Sequence, residues 1–477
     1  MNDKNKHAPL FEKLKSFSRL ESMSFHVPGH KNGKIFTDLG KREYESILKL
    51  DITELSGLDD LHAPTGVIKE SQQLAASWFG AEQTHFLVGG STVGNLAMLL
   101  AVCAPGDQVI VQRNCHKSIL NGLELSGARP IFVAPVFDEQ INRYTAPTKA
   151  MINEALNAHP DAKAVVLTYP DYFGCTFDLE EIVHDVHQFN IPVLVDEAHG
   201  VHFSVGNMFP KTALEQGADI VVQSAHKMAP AMTMAAYLHV KSKLIPTDKV
   251  TGYLTMLQSS SPSYPIMASL DLARYYLEMI NKDQLQLLNE SVFEFRECLD
   301  NSIFWHVESN VFGVNDPLKV TIQMEKGING LDVAKLFEHE KLFPELATYN
   351  QILFVLGLEP FEDWNWLNNA VQKINEQLKF ETKHATIESK IDYFPDTIKG
   401  LIYSYEEMKN KKTMFLKWDD VFEHVAAEAI IPYPPGIPIL VKGEVVTTQH
   451  LNIIKYLLLK GTSFQNVNIN YGLNVFL

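Results

Sequence analysis

Cysteine is scarce in this chain: Cys103, Cys115, Cys175 and Cys298 are the only four in 477 residues, and no two are spaced as Cys-x-x-Cys. That disfavours a zinc ribbon and a disulfide framework alike, and it fits a reducing cytoplasm. Positive charge is in deficit, with 41 Lys and Arg against 57 Asp and Glu, a formal net charge of -16. Phosphate-rich surfaces would be repelled, so nucleic acid and anionic membrane are poor partners, whereas a cationic small molecule is compatible. Long hydrophobic runs are missing too. The longest, residues 96–105, is well short of a membrane span. Lys4, Lys6, Glu12, Lys13 and Lys15 interrupt the N-terminus, which therefore lacks the apolar core of a signal peptide. The expectation is a soluble, cytoplasmic protein.

What is present is ordinary globular material, 46% hydrophobic and 21% charged, long enough for about two or three domains. Residues 86–88, 108–112, 130–134, 164–168, 192–195 and 219–222 are short, continuous apolar runs separated by amphipathic segments. Strands buried on both faces and interleaved with helices predict an α/β fold with a mostly parallel, doubly wound sheet. Residues 178–189 predict a crossover helix capped by Asp178, and residues 266–299 predict one long helix leading out of the large domain. Strands at 318–323 and 352–357 around a helix at 330–340 predict a smaller α+β domain. The scheme is an N-terminal segment 1–70, a large domain 71–280, a small domain 281–380 and a C-terminal region 381–477. Residues 380–418 are charge-rich and loosely patterned. Residues 433–438, with three prolines, must be extended.

Four features after these strands carry chemistry. Ser224-Ala225-His226-Lys227 puts an amine just past a buried strand, a setting for Schiff-base chemistry. Gly89-Gly90-Ser91-Thr92-Val93-Gly94-Asn95 opens a helix, where free backbone N–H groups and the Ser91 and Thr92 hydroxyls suit a phosphate; a plain tight turn is the competing reading. Asp196, in Val195-Asp196-Glu197-Ala198-His199-Gly200, ends a strand and suits a cation. Asp196, Glu197, His199 and His202 also admit a metal site, although adjacent strand residues point to opposite faces and no zinc spacing is matched. His116 follows the 108–112 strand. A phosphate cradle, a ring, a carboxylate and a lysine at one sheet edge jointly suit a phosphorylated, cationic, planar aldehyde, pyridoxal phosphate.

The chain resembles the Orn/Lys/Arg decarboxylase family. The resemblance rests on Phe25-His26-Val27-Pro28-Gly29-His30-Lys31-Asn32-Gly33, on residues 51–72 with Thr65-Gly66, on Gly89 to Asn95, and on Arg113-Asn114-Cys115-His116-Lys117-Ser118. The Asp196 and Lys227 motifs and residues 433–444 complete it. It implies a fold-type I pyridoxal-phosphate enzyme in which Lys227 is the Schiff-base lysine, Asp196 partners the pyridine nitrogen and His116 stacks on the ring. Ser91 and Thr92 cradle the phosphate, Ser224 and His226 flank the lysine, and Ala198 lies against the other ring face. Lys227 or His226 would return the proton to the α-carbon. Glu345, in Leu342-Phe343-Pro344-Glu345-Leu346-Ala347-Thr348, would meet the side-chain cation of a basic amino acid. Two stretches depart from the family: Thr348 stands where many short members have Asp, and Tyr169-Pro170-Asp171-Tyr172 stands where Pro-Thr-Tyr is usual.

With its first motif at His26, the chain is expected to be a short, biosynthetic-type member without the N-terminal wing domain of larger ones. At least a homodimer is implied. The expected activity is decarboxylation of arginine, lysine or ornithine on the way to a polyamine. Another fold-type I reaction, such as transamination or a lyase step, would use the same cofactor residues. A non-catalytic cofactor-binding regulator and a metal hydrolase are the remaining alternatives.

Overall fold

The computed structural model describes residues 6–20, 22–206, 208–310, 314–379, 394, 396–432 and 436–477. Expectations for residues 380–393 and 433–435 lie outside them. An eight-stranded sheet dominates, ordered Gln83–Leu87, Ala236–Val240, Ile220–Gln223, Val193–Asp196, Val165–Thr168, Gln108–Gln112, Arg129–Val133, Ile398–Gly400. Only Ala236–Val240 and Ile398–Gly400 run against the rest. Alternate strand residues pack into two cores. Ile110, Val165, Leu167, Val193, Val195 and Val221 face one, and Val109, Val111, Val166, Leu194, Ile220 and Val222 face the other. Burial on both faces is why these strands are apolar throughout.

The crossover helix Leu179–His187 starts where expected, with Asp178 accepting from the Glu181 amide. The single long helix expected over 266–299 is instead two, Tyr264–Met279 and Lys282–Asp300. Asn281 breaks it by capping: its side chain accepts from the Gln284 amide while the Gln284 side chain accepts from the Asn281 amide. This reciprocal pair satisfies the orphan donors of a new helix start.

Past that helix, Trp305–Val307, Lys319–Met324, Gln351–Val355 and Leu346–Ala347 form a four-stranded antiparallel sheet, with helices Gly330–His339 and Trp364–Leu378 sharing its core. The charge-rich stretch hides an element: Ile398–Gly400 extends the large sheet beside Arg129–Val133. Beyond it, Thr413–Lys417, Gly472–Phe476 and Val425–Ala426 form a small sheet around a core shared with helix Thr448–Leu459. This last unit is fastened to the large sheet by buried Arg113, which pairs with Glu444 at 2.9 Å and donates to the Pro438 carbonyl at 2.8 Å.

Candidate active site

The ends of Leu87, Gln112, Thr168, Asp196 and Gln223 share the C-terminal edge of the sheet, where open α/β sheets place ligands. The helix Gly90–Val102 starts inside the glycine turn, and no side chain caps it. Gly90 has φ +77, and a Cβ on Gly94 would come within 2.7 Å of Val222 and 2.8 Å of Leu87. One glycine lets the chain turn, and the other lets the helix lie directly on the strands. Ser91 then faces Ser224, which follows the Ile220–Gln223 strand, hydroxyl to hydroxyl at 2.7 Å. Thr92 is exposed on the first turn.

Asp196 is buried, with Oδ2 accepting from Asn95 Nδ2 at 2.8 Å and Oδ1 from the Ala198 amide at 3.2 Å. Among the described residues it has no ion-pair partner. A buried carboxylate normally finds one, so a cation is the missing component. Glu197 turns to the opposite face, accepting from Gln223 and the Ala213 amide, and burial raises its pKa to about 8. Asp196 and Glu197 thus do not converge, and no group of three or more His, Cys, Asp or Glu among the described residues is arranged to hold a metal ion.

His116 caps helix Lys117–Ser126: its Nδ1 accepts from the Ser118 amide and lies 2.8 Å from Ser118 Oγ. Asn95 Nδ2 donates to that same hydroxyl at 2.8 Å. Burial lowers the His116 pKa, Asp196 opposes the shift and the nearby Lys227 adds to it, so the ring is neutral at pH 7.

Lys227 lies on the four-residue helix Ala225–Met228. By surface area the residue is open to solvent, yet its amine is crowded by protein, and desolvation lowers its pKa against the pull of Asp196 and Glu345. Its Nζ is 3.0 Å from His199 Nε2. On the other side of that ring, Nδ1 is 3.0 Å from the Nζ of Lys319, a buried lysine that opens the Lys319–Met324 strand. Tyr172 meets the imidazole edge-on at 4.5 Å between ring centroids and donates its hydroxyl to Glu345 at 2.5 Å. The His226 ring turns away, its Nδ1 donating to the Ala235 carbonyl at 3.1 Å.

The structure therefore brings Ser91, His116, Asp196, Ala198, Ser224, Lys227 and Glu345 to one edge of the large sheet. Asn95, Ser118, Tyr172, His199 and Lys319 join them; the sequence assigned no role to four of these five, and gave His199 only the alternative of a metal ligand. Asn95, Ser118, Tyr172 and His199 stood inside stretches already singled out. A lysine inside an apolar strand was the only sequence signal for Lys319. Pyridoxal phosphate fits this donor set: an uncapped helix start beside two hydroxyls, a buried carboxylate lacking a cation, and a crowded amine.

A profile of the Orn/Lys/Arg decarboxylase major domain matches residues 8–308, and one of the C-terminal domain of that family matches residues 390–467. The uncharacterized protein YaaO of Bacillus subtilis is 43% identical over 463 residues, 96% of each chain. The arginine decarboxylase of Bacillus subtilis is 34% identical over 459 residues, 94% of this chain and 92% of that one. Among solved structures, the constitutive lysine decarboxylase of E. coli superposes with a TM-score of 0.81 at 20% identity, over 99% of this chain and 82% of that one.

Proposed function

Because the chain belongs to the Orn/Lys/Arg decarboxylase family and is an amino acid decarboxylase dependent on pyridoxal phosphate, we propose that it decarboxylates a basic amino acid, with Lys227 as its cofactor-bearing lysine. The observation that carries this is the crowded amine of Lys227, held at one sheet edge with the cation-free carboxylate of Asp196. Arginine is the favoured substrate, since a relative with 34% identity is an arginine decarboxylase, and lysine and ornithine are the alternatives. The product amine would then enter polyamine synthesis.

Bound pyridoxal phosphate supplies an electron sink for the charge left on the α-carbon when carbon dioxide departs. Asp196 would hold the proton on the pyridine nitrogen, and Asn95 keeps that carboxylate aimed. His116 and Ala198 would hold the ring between them. The amides after Gly90, with Ser91, Thr92 and Ser224, bind the phosphate. Glu345, steadied by the Tyr172 hydroxyl, accepts the distal cation of the substrate. Lys227 returns a proton to the α-carbon, and His226, bonded to a backbone carbonyl, is the lesser candidate.

A homodimer in the cytoplasm completes the proposal. Met23, Phe25, Ile35 and Leu39 are 82%, 90%, 64% and 93% exposed, an apolar set that a second copy would cover. Sedimentation at micromolar concentration should give twice the chain mass.

The test is to incubate purified protein with arginine, lysine and ornithine separately and measure carbon dioxide and amine. Release from one of them is expected. Release from none refutes the decarboxylase reading even if the cofactor binds. Lys227→Ala should abolish both turnover and the visible band that borohydride bleaches, and survival of that band would displace Lys227 from its role.

A further inference from the structure

His199 sits between two lysines from different layers of the molecule. Lys227 Nζ approaches its Nε2 and Lys319 Nζ its Nδ1, each at 3.0 Å. A neutral imidazole offers one N–H and one lone pair, so two ammonium groups cannot both donate to it; an imidazolium could accept from neither. Burial and the two lysine charges, with His202 and His116 adding to them, hold His199 well below its ordinary pKa, hence neutral. One lysine must donate to the ring and the other must receive from it.

The chemistry required of Lys227 assigns the roles. Lys319 is 4% exposed and faces the carboxylates of Asp316, Glu345 and Asp171, with Lys227 as the opposing cation. His202 Nε2 lies 3.1 Å from Asp316. Lys227 faces Asp196 and Glu345, with His116 nearby. Burial outweighs these carboxylates at Lys319, and Lys227 adds to the lowering, so the requirement of carbonyl chemistry decides: Lys227 must be a free amine to receive from the ring, which leaves Lys319 as the ammonium that donates to it. The fold also clamps Lys319. A Cβ on Gly174 would meet its Cγ at 2.7 Å, and the Gly174 carbonyl accepts from the Asp316 amide at 2.9 Å.

We propose that Lys319 is a positioning residue for the proton supply: its ammonium donates to His199 Nδ1, fixes the ring proton on Nε2, and so aims that proton at Lys227 Nζ. The purpose rests on the decarboxylase reading above, because exchanging carboxylate for hydrogen at the α-carbon consumes one proton per turnover. In the transfer the Nε2–H bond breaks as a new N–H bond forms on Lys227, and Lys319 gives a proton to Nδ1. The ring stays neutral, Lys319 ends as an amine and Lys227 as an ammonium. Protonation from solvent restores Lys319, and rotation or proton exchange of the ring restores its tautomer.

The tautomer is measurable without turnover, from the nitrogen shifts of histidine-labelled full chain before cofactor is added, with His199 assigned by loss of its signals in His199→Gln. The expected state is Nε2–H. A proton found on Nδ1 overturns the proposal, whether or not any Lys319 variant folds. In kinetics, burial lowers the Lys319 pKa to about 8, so kcat should fall as pH rises through about 8. Lys319→Met should lower kcat by about 10- to 100-fold with KM unchanged and abolish that alkaline limb, and Lys319→Arg should move the limb upward. A Lys319→Met enzyme that keeps the wild-type limb also overturns the proposal. If the wild type decarboxylated no basic amino acid, the functional reading would fail while the tautomer still decided this one.

Discussion

Asn95 Nδ2 donates to Asp196 Oδ2 at 2.8 Å across 101 positions of sequence, and both residues are buried. The same nitrogen reaches Ser118 Oγ, which in turn meets His116 Nδ1. One amide therefore sets the aim of both the carboxylate and the ring. Asn95→Ala should strip a buried carboxylate of a partner, costing about 1–3 kcal/mol in urea unfolding. It should also weaken retention of pyridoxal phosphate in dialysis. Unchanged stability and retention would show that the bridge is incidental.

Replacing Asp196 by Asn keeps the size of the side chain and removes its charge. The expected result is a folded protein whose kcat is lower by about 100- to 1000-fold, the scale on which a preorganised charge acts in an enclosed site. Steady-state assays together with circular dichroism separate this from unfolding. Activity within threefold of wild type would remove Asp196 from the mechanism.

Glu197 carries a pH signature of its own. Its pKa is raised to about 8 by burial, so the folded state keeps a proton that the unfolded chain releases above its ordinary carboxylate pKa near 4.5. The stability this contributes is full at low pH and is lost as pH rises from about 4.5 to about 8. Urea midpoints measured across that window should fall with rising pH, and Glu197→Gln should flatten the slope. A parallel slope in the variant would assign the effect to another group.

Gly174 has φ +85 and lies against Lys319. Gly174→Ala should therefore combine backbone strain with a clash, destabilising the fold by about 1–3 kcal/mol. It should also perturb the pH profile as Lys319 shifts, whereas Gly80→Ala, at φ +72 with open space around it, should show the strain alone.

Much of the sheet could be read from sequence because its strands are buried on both faces, which leaves an unbroken apolar signature, as at Val193–Asp196. Ile398–Gly400 escaped because a three-residue edge strand, Ile-Lys-Gly, carries no such pattern. The helix break at Asn281 was written in the sequence as Asn281 and Gln284, but an apolar periodicity that continued on both sides masked it. In the site, residues standing directly after strands were legible from position alone. Lys319 was not, because its partner His199 lies 120 residues away and only the fold of the chain brings them together.

The Ile398–Gly400 strand has a consequence for biosynthesis. It covers the outer edge of Arg129–Val133, and Arg113 finds its carboxylate at Glu444. Until the ribosome has released the first, the nascent sheet would carry an unpaired strand edge, and until it has released the second, Arg113 would lack its counterion, so a chaperone would be needed to shield the exposed edge.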